Sequence, residues 1–216
     1  MDFKLQSYGE RAFLIQDLDE TSQFRLIRQL ERCEPEGFVE YVVGYSNMLF
    51  VFRDGVGAAK LPTWLAGLPM DDGARLPLSQ LVTVPVCYDG EDLAAVAELA
   101  QLSEAAVIAI HCAPEYRVRM MGFSPGFPYL DGLDARLHLD RRASPRNHIA
   151  PGSVAIGGAH AGIYSVASPG GWHLLGRTEL KLFKPDLAKS EGAVDGASAF
   201  ALAPGDRVKF VEVGAV

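Results

Sequence analysis

Cysteine is scarce in this chain. Cys33, Cys87 and Cys112 are its only three in 216 residues, and an odd number without C-x-x-C spacing excludes a disulfide framework and a cysteine-based zinc site. Surplus positive charge is missing too: 20 Lys and Arg face 27 Asp and Glu, for a net charge of −7. Counterion release rewards basic surfaces, so this balance excludes a general nucleic-acid partner. No membrane-spanning run is present, because the most apolar stretch, 93–110, is interrupted by Glu98, Gln101, Ser103 and Glu104. Met1 to Leu5 shows no basic region leading into an apolar run. A cytoplasmic protein without membrane contact is therefore expected. The phosphate-cradling patterns G-x-x-x-x-G-K-[ST] and G-x-G-x-x-G are absent, and the five histidines form no i,i+4 pair. Neither a nucleotide site of its own nor a metal site is expected.

Apolar residues, at 49% of the chain, are plentiful. A chain this long buries about 70% of the surface its unfolded form exposes, enough for one large domain or two small ones. The first 80 residues alternate strand-like and helix-like segments. Phe3 to Ser7 and Ala12 to Gln16 flank Gly9 as a hairpin. Phe24, Ile27, Leu30 and Cys33 repeat at near-helical spacing behind the candidate N-caps Asp19 and Thr21. Phe38 to Val43 and Met48 to Phe52 read as strands, and Gly57 to Ala66 as a short helix, ahead of a Gly-Pro-Asp stretch at 67–77. The expected unit is a small α/β sandwich over 1–80.

Leu81 to Cys87 reads as a strand, with Asp89 capping a helix over Leu93 to Ala100 and Ser103 opening a second that ends near His111. Beyond Tyr116, short apolar runs split by Gly and Pro predict a β-barrel or sandwich. These runs are Val154 to Ile156, Ile163 to Val166, Trp172 to Leu175, Leu180 to Phe183 and Arg207 to Val213. The residues between 186 and 199 read as an exposed loop. The fold class expected is α+β, with the second domain over 81–216.

Gly122-Phe123-Ser124-Pro125-Gly126 matches the G-x-S-x-G nucleophile elbow, but the physics opposes that role. The elbow needs an N–H on the residue after serine, and Pro125 has none. A tight loop is expected instead, whose Phe123, Phe127 and Tyr129 either pack in the core or line a pocket. Residues 115–148 carry six arginines against four acids. Of these, Arg136, Arg141 and Arg142 fit surface pairs with Asp134 and Asp140, while Arg146 is the better anion ligand. Ser168-Pro169-Gly170-Gly171-Trp172 is a second unusual loop, with two glycines that allow close backbone approach ahead of an anchoring tryptophan. His111, at a helix end, fits a buried ring as well as a base.

Longer patterns then stand in order: Pro85-Val86-Cys87-Tyr88, His111, Glu115 to Val118, Met121 to Leu130 and Ser144-Pro145-Arg146. They continue through Gly152 to Ile156, Gly162-Ile163-Tyr164, Ser168 to Trp172, Leu175 to Thr178 and Pro204-Gly205-Asp206. Through these the chain resembles the family of the 5-oxoprolinase B subunit, also described as Kip-inhibitor or allophanate-hydrolase-subunit-1-like. The resemblance implies a cyclophilin-like β-barrel behind a small α/β domain, and partnership with the C and A subunits of the same enzyme. It implies an ATP-dependent complex opening 5-oxo-L-proline to L-glutamate, in which this chain need not bind the ATP and is inactive alone. His111 and Ser168 are then candidate catalytic residues. Phe123, Ser124, Phe127, Arg146, Ser153, Tyr164, Gly170, Gly171 and Arg177 are candidate substrate-binding residues. Relatives with this fold also serve in urea carboxylase as carboxyltransferase components, and one inhibits a histidine kinase. His160-Ala161 and Ser165 depart from the family's pattern.

Overall fold

Gly9, at φ +70°, turns the chain between β1 (Lys4–Ser7) and β2 (Ala12–Gln16), which pair antiparallel. The computed structural model describes residues 3–68, 79–188 and 199–214. It divides into two compact units, Met1–Leu78 and Ser79–Val216. In the first, α1 (Glu20–Arg32) starts at Asp19, whose carboxylate accepts the Ser22 N–H at 2.7 Å. That bond satisfies one of the donors a helix leaves open. Antiparallel β3 (Phe38–Val43) and β4 (Met48–Phe52) complete a sheet of order β1-β2-β4-β3.

Strand β4 alternates strictly, burying Met48, Phe50 and Phe52 against Leu26, Leu30, Leu61 and Leu65. Each such side chain, fully buried, contributes about 1.5–3 kcal/mol. The helix expected over 57–66 is two, α2 (Gly55–Ala59) and α3 (Leu61–Ala66). Pro62 explains the break, since proline suits a helix's first turn and not its interior.

The second unit is built on a seven-stranded sheet. Its strands are β5 (Leu81–Val86), β6 (Tyr116–Met121), β7 (Pro128–Asp131), β9 (Ser153–Gly157), β10 (His160–Ile163), β12 (His173–Arg177) and β13 (Arg207–Glu212), with β8 (Arg146–Ile149) and β11 (Ser168–Gly170) forming a separate ribbon. The sheet order is β12-β9-β10-β7-β6-β13-β5, with β13 and β5 parallel. Cys87 and Arg177 exchange backbone hydrogen bonds of 2.9 and 2.8 Å, joining the ends of the two outermost strands into a nearly closed barrel.

Alternation sorts this sheet's two faces. Val154, Ile156, Ala161, Ile163 and Leu175 enter one core with Val96 of α4 (Leu93–Leu99) and Val107 of α5 (Glu104–Cys112). Ala155 and Leu174 belong to a second cluster with Phe127, Ile149, Tyr164 and Trp172. No single helix among the described residues is long and apolar enough to cross a membrane.

Several expectations shift. Helix α4 begins after Asp92, and Asp89 does not cap it but pairs with Arg177 at 2.9 Å. Leu180 to Phe183 forms no strand, only a bridge from Phe183 to Phe200. The run at Ile163 to Val166 is strand only at its first residue. The loop expected over 186–199 and the stretch 67–77 lie largely outside the described residues.

Candidate functional site

The G-x-S-x-G loop closes on itself. Ser124 N–H donates to Gly122 O at 2.7 Å, a γ-turn that leaves Phe123 at φ +65°. Positive φ in an aromatic residue costs about 1–3 kcal/mol and persists only where surroundings enforce it. Here the Gly122 N–H to Phe127 O bond and the Phe127 N–H to Ser124 O bond, both 3.1 Å, enforce it. A strand follows, not a helix, so the loop lacks the nucleophile-elbow geometry. Phe123 is 59% exposed while Phe127 is 2%. Phe127 is therefore a core ring, packed edge-on to Phe123, Tyr129, Tyr164 and Trp172 at 5.2–5.5 Å.

Glycines set how closely this cluster packs. A Cβ on Gly157 would lie 2.7 Å from the Trp172 ring, and one on Gly162 2.8 Å from Phe127. One on Gly170 would meet the Tyr164 hydroxyl at 2.1 Å, so only glycine lets β11 pass that phenol. Burial raises the Tyr164 pKa; the Trp172 N–H donated to its oxygen and the charges of Arg141 and Arg146 offset part of that. Beside it, Ser165 Oγ donates to Pro125 O at 2.6 Å and lies 3.4 Å from Ser124 Oγ. Ser168 Oγ is buried with no hydrogen-bond partner among the described residues.

The ribbon of β8 and β11 is tied down by charge. Asp92, 4% exposed, accepts from Arg146 Nη1 and Nη2 at 2.9 Å each, from Arg142 Nη1, and from Leu174 N–H at 2.8 Å. Burial pushes the Asp92 carboxyl up, but the hydrogen bonds from Arg146 and Leu174 and the two arginine charges outweigh it. Its pKa lies below the usual carboxylate range. Arg146 also meets Glu91, and Arg141 stacks over Trp172 at 5.9 Å. Arg136 pairs with Asp134 at 2.8 Å on the surface, as expected of it, whereas Arg142 does not pair with the neighbouring Asp140.

The structure thus gathers Phe123, Ser124, Phe127, Tyr164, Gly170 and Arg146 into one neighbourhood, with Ser168 on the same ribbon as Gly170 and Gly171 directly after it. His111 is elsewhere. It is fully buried, its Nδ1 bonded to Tyr88 Oη at 2.6 Å and its ring 4.5 Å from Phe210. Burial drives its pKa down to about 3, which makes it a neutral core imidazole. Ser153 closes its own turn by donating to Ala150 O at 2.8 Å, and Arg177 serves the barrel seam. Asp92, Glu91 and Ser165 were not legible as site residues, because their partners lie 40 or more positions away. A cavity of about 680 Å³ lies beside the loop, lined by Ser124, Pro125, Gly126, Phe200 and Asp206 among others. Another of about 500 Å³ is lined by Tyr164, Ser165, Thr178 and Lys181 among others. Among the described residues, no three His, Cys, Asp or Glu side chains converge as a metal set would.

Residues 3–191 match the family model for the carboxyltransferase domain, subdomain C and D. The chain is 39% identical over 199 residues to a protein of Escherichia coli O157:H7 named as the B subunit of 5-oxoprolinase, covering 88% of this chain and 85% of that one. A protein of the same name from Haemophilus influenzae is 44% identical over 195 residues, covering 87% and 84%. The crystal structure of TTHA0988 matches with TM-score 0.75 and 34% identity over 95% of this chain, which spans only 40% of that longer chain. Kluyveromyces lactis urea carboxylase matches at TM-score 0.73 and 23% identity, over 98% of this chain and 22% of that one. This last likeness is one of fold.

Proposed function

The chain belongs to the carboxyltransferase-domain family of subdomains C and D, and from that premise we propose that it is the B subunit of an ATP-dependent complex that opens 5-oxo-L-proline to L-glutamate. One observation carries the reading: 39% identity, spread over nearly the full length, to a protein named for that role. The reaction breaks the lactam C–N bond. Water supplies the hydroxyl that bonds the carbonyl carbon, and a proton goes to the leaving nitrogen. ATP supplies the driving force within the complex, and the A and C subunits complete it.

This chain's share is to hold the substrate. Arg146 faces its carboxylate, and Ser124 and Ser168 offer hydrogen bonds. The exposed ring of Phe123 takes the apolar ring edge, with the buried Tyr164 packed behind it, and the backbone at Gly171 admits close approach to the carbonyl. Supporting this, Ser168 Oγ is buried without a partner among the described residues, and a strained, exposed Phe123 is held edge-on to Tyr164.

The test is ATP hydrolysis dependent on 5-oxoproline, measured with this chain alone and then with candidate A and C subunits. Turnover is expected only in the full mixture. Ser168→Ala removes an unpaired buried hydroxyl, so it should leave the melting temperature unchanged or raised while lowering turnover about tenfold or more. No turnover from a folded, complete mixture would discard the reading. A second reading, a carboxyltransferase component acting on urea or a related amide, is favoured by the fold likeness to urea carboxylase. Copurification with a biotinylated partner would select it.

A further inference from the structure

The guanidinium of Arg146 has two edges, held in unlike ways. Along the inner edge, Nη1 and Nη2 donate to the two different oxygens of Asp92 at 2.9 Å each. That carboxylate is 4% exposed and is fixed further by Leu174 N–H and Arg142. Along the outer edge, Nε and Nη2 donate at 3.2 and 3.1 Å to one and the same oxygen, Oε2 of Glu91, whose side chain is 75% exposed. A guanidinium edge pairs best with both oxygens of a carboxylate through parallel bonds, so the outer edge is under-used by its present occupant. An exposed pair of this kind is also weak.

The geometry points to Glu91 as a built-in placeholder: the outer edge of Arg146 is a binding site for a small carboxylate, which displaces Glu91 while Asp92 keeps the guanidinium in place. Asp92 is then a positioning residue. The inference rests on the proposed function only in identifying the ligand as the 5-oxoproline carboxylate. Acetate presents the same chemistry without the lactam.

Calorimetric titration of the full chain with acetate, 5-oxoproline and 2-pyrrolidinone tests it, the last having the lactam ring without the carboxylate. Acetate and 5-oxoproline should bind and 2-pyrrolidinone should not. Glu91→Gln should tighten carboxylate binding about three- to fivefold, since only a weak surface pair is given up. Arg146→Lys, which keeps a charge opposite Asp92 and so protects folding, should weaken it about tenfold. Equal affinity in Glu91→Gln and wild type, undiminished binding in Arg146→Lys, or no carboxylate binding by either wild type or Glu91→Gln would overturn the site. Binding of acetate but not 5-oxoproline would keep the site and remove the lactam acid from it. Turnover by the complex without any of these binding effects would sink this inference alone. The binding effects without turnover would sink the functional reading alone.

Discussion

Among the described residues, the unit up to residue 78 buries two neutral amides, Gln23 and Gln29, whereas the unit from Ser79 buries a carboxylate, two imidazoles and two hydroxyls. Gln23 earns its place simply, donating to Gly44 O at 2.8 Å and Asn47 O at 3.1 Å to hold the turn between β3 and β4. Nothing there changes charge near neutral pH. In the second unit Asp92 gathers two arginines and a backbone N–H, and His111 stays neutral at the cost of refusing a proton. The first unit is a conventional apolar core with satisfied amides. The second also buries groups that can ionise, and one of them, Asp92, is paired with Arg146.

The sharpest break in this comparison comes from Asp92→Ala. It leaves Arg146 with Glu91 alone, takes from Arg142 its pairing with Asp92, and deprives Leu174 N–H of its acceptor. Breaking a buried pair from one side costs about 3–5 kcal/mol. Gln23→Ala, its counterpart in the first unit, loses neutral hydrogen bonds worth about 1–2 kcal/mol. Each unit contains one tryptophan, Trp64 or Trp172, so urea unfolding followed through Trp172 in a Trp64→Phe background reads Asp92→Ala in the second unit, and through Trp64 in a Trp172→Phe background reads Gln23→Ala in the first. Equal losses from the two substitutions would erase the distinction between the units.

A smaller effect, specific to pH, comes from His111. Its folded pKa of about 3 lies below the ordinary 6.5, so between those values the unfolded chain binds a proton that the native state excludes. Stability is whole above pH 6.5 and falls as the pH drops toward 3, by about 1.4 kcal/mol per pH unit. Asp92 has its pKa below the usual carboxylate range, so its contribution persists above pH 4 and fades only in stronger acid. His111→Phe keeps a ring against Phe210 and leaves Tyr88 Oη with Cys112 Sγ at 3.2 Å. Unfolding free energies at pH 7, 6 and 5 should therefore fall less steeply in the variant. Parallel curves would mean the imidazole titrates normally.

The same contrast explains what could be read from the sequence. The first unit is organised by near neighbours: a cap three residues from its N–H, hairpins, alternating apolar residues. All four of its strands and α1 were legible. In the second unit the strands β9, β12 and β13 were visible as apolar runs, but β8 and β11 were not. Arg146 to Ile149 and Ser168 to Gly170 carry one apolar core side chain, Ile149, and are otherwise held by ladder pairing and by Asp92. The parallel pairing of β5 with β13 joins the two ends of the unit, and no local pattern announces it. The site divides along the same line. Phe123, Tyr164 and Gly170 lay in recognisable motifs, while the partner of Arg146 depended on a contact across 54 positions. His111 stood in a motif too, yet its spacing gave no sign that Phe210 and Tyr116 enclose it.

The smallest expected effect concerns strain. Phe123 sits at φ +65°, where glycine rests freely and alanine does not. Phe123→Ala removes the ring and keeps the strain; Phe123→Gly removes both. In ordinary loops glycine is the less stable of the two by about 0.4–1 kcal/mol, because its unfolded state is freer. Here the order should invert, with Phe123→Gly more stable than Phe123→Ala by about 1 kcal/mol. Both variants should lower 5-oxoproline-dependent turnover in the complex, since both lose the exposed phenyl beside Tyr164. Thermal unfolding of the pair decides the matter. An alanine variant more stable than the glycine one would show that the γ-turn stores nothing, and a loss of turnover would then have to come from the missing ring alone. An inverted order with turnover intact would place the strain outside the site's work. Only inversion together with a difference in turnover between the alanine and glycine variants, which lack the same ring, ties the backbone at Phe123 to what the second unit does.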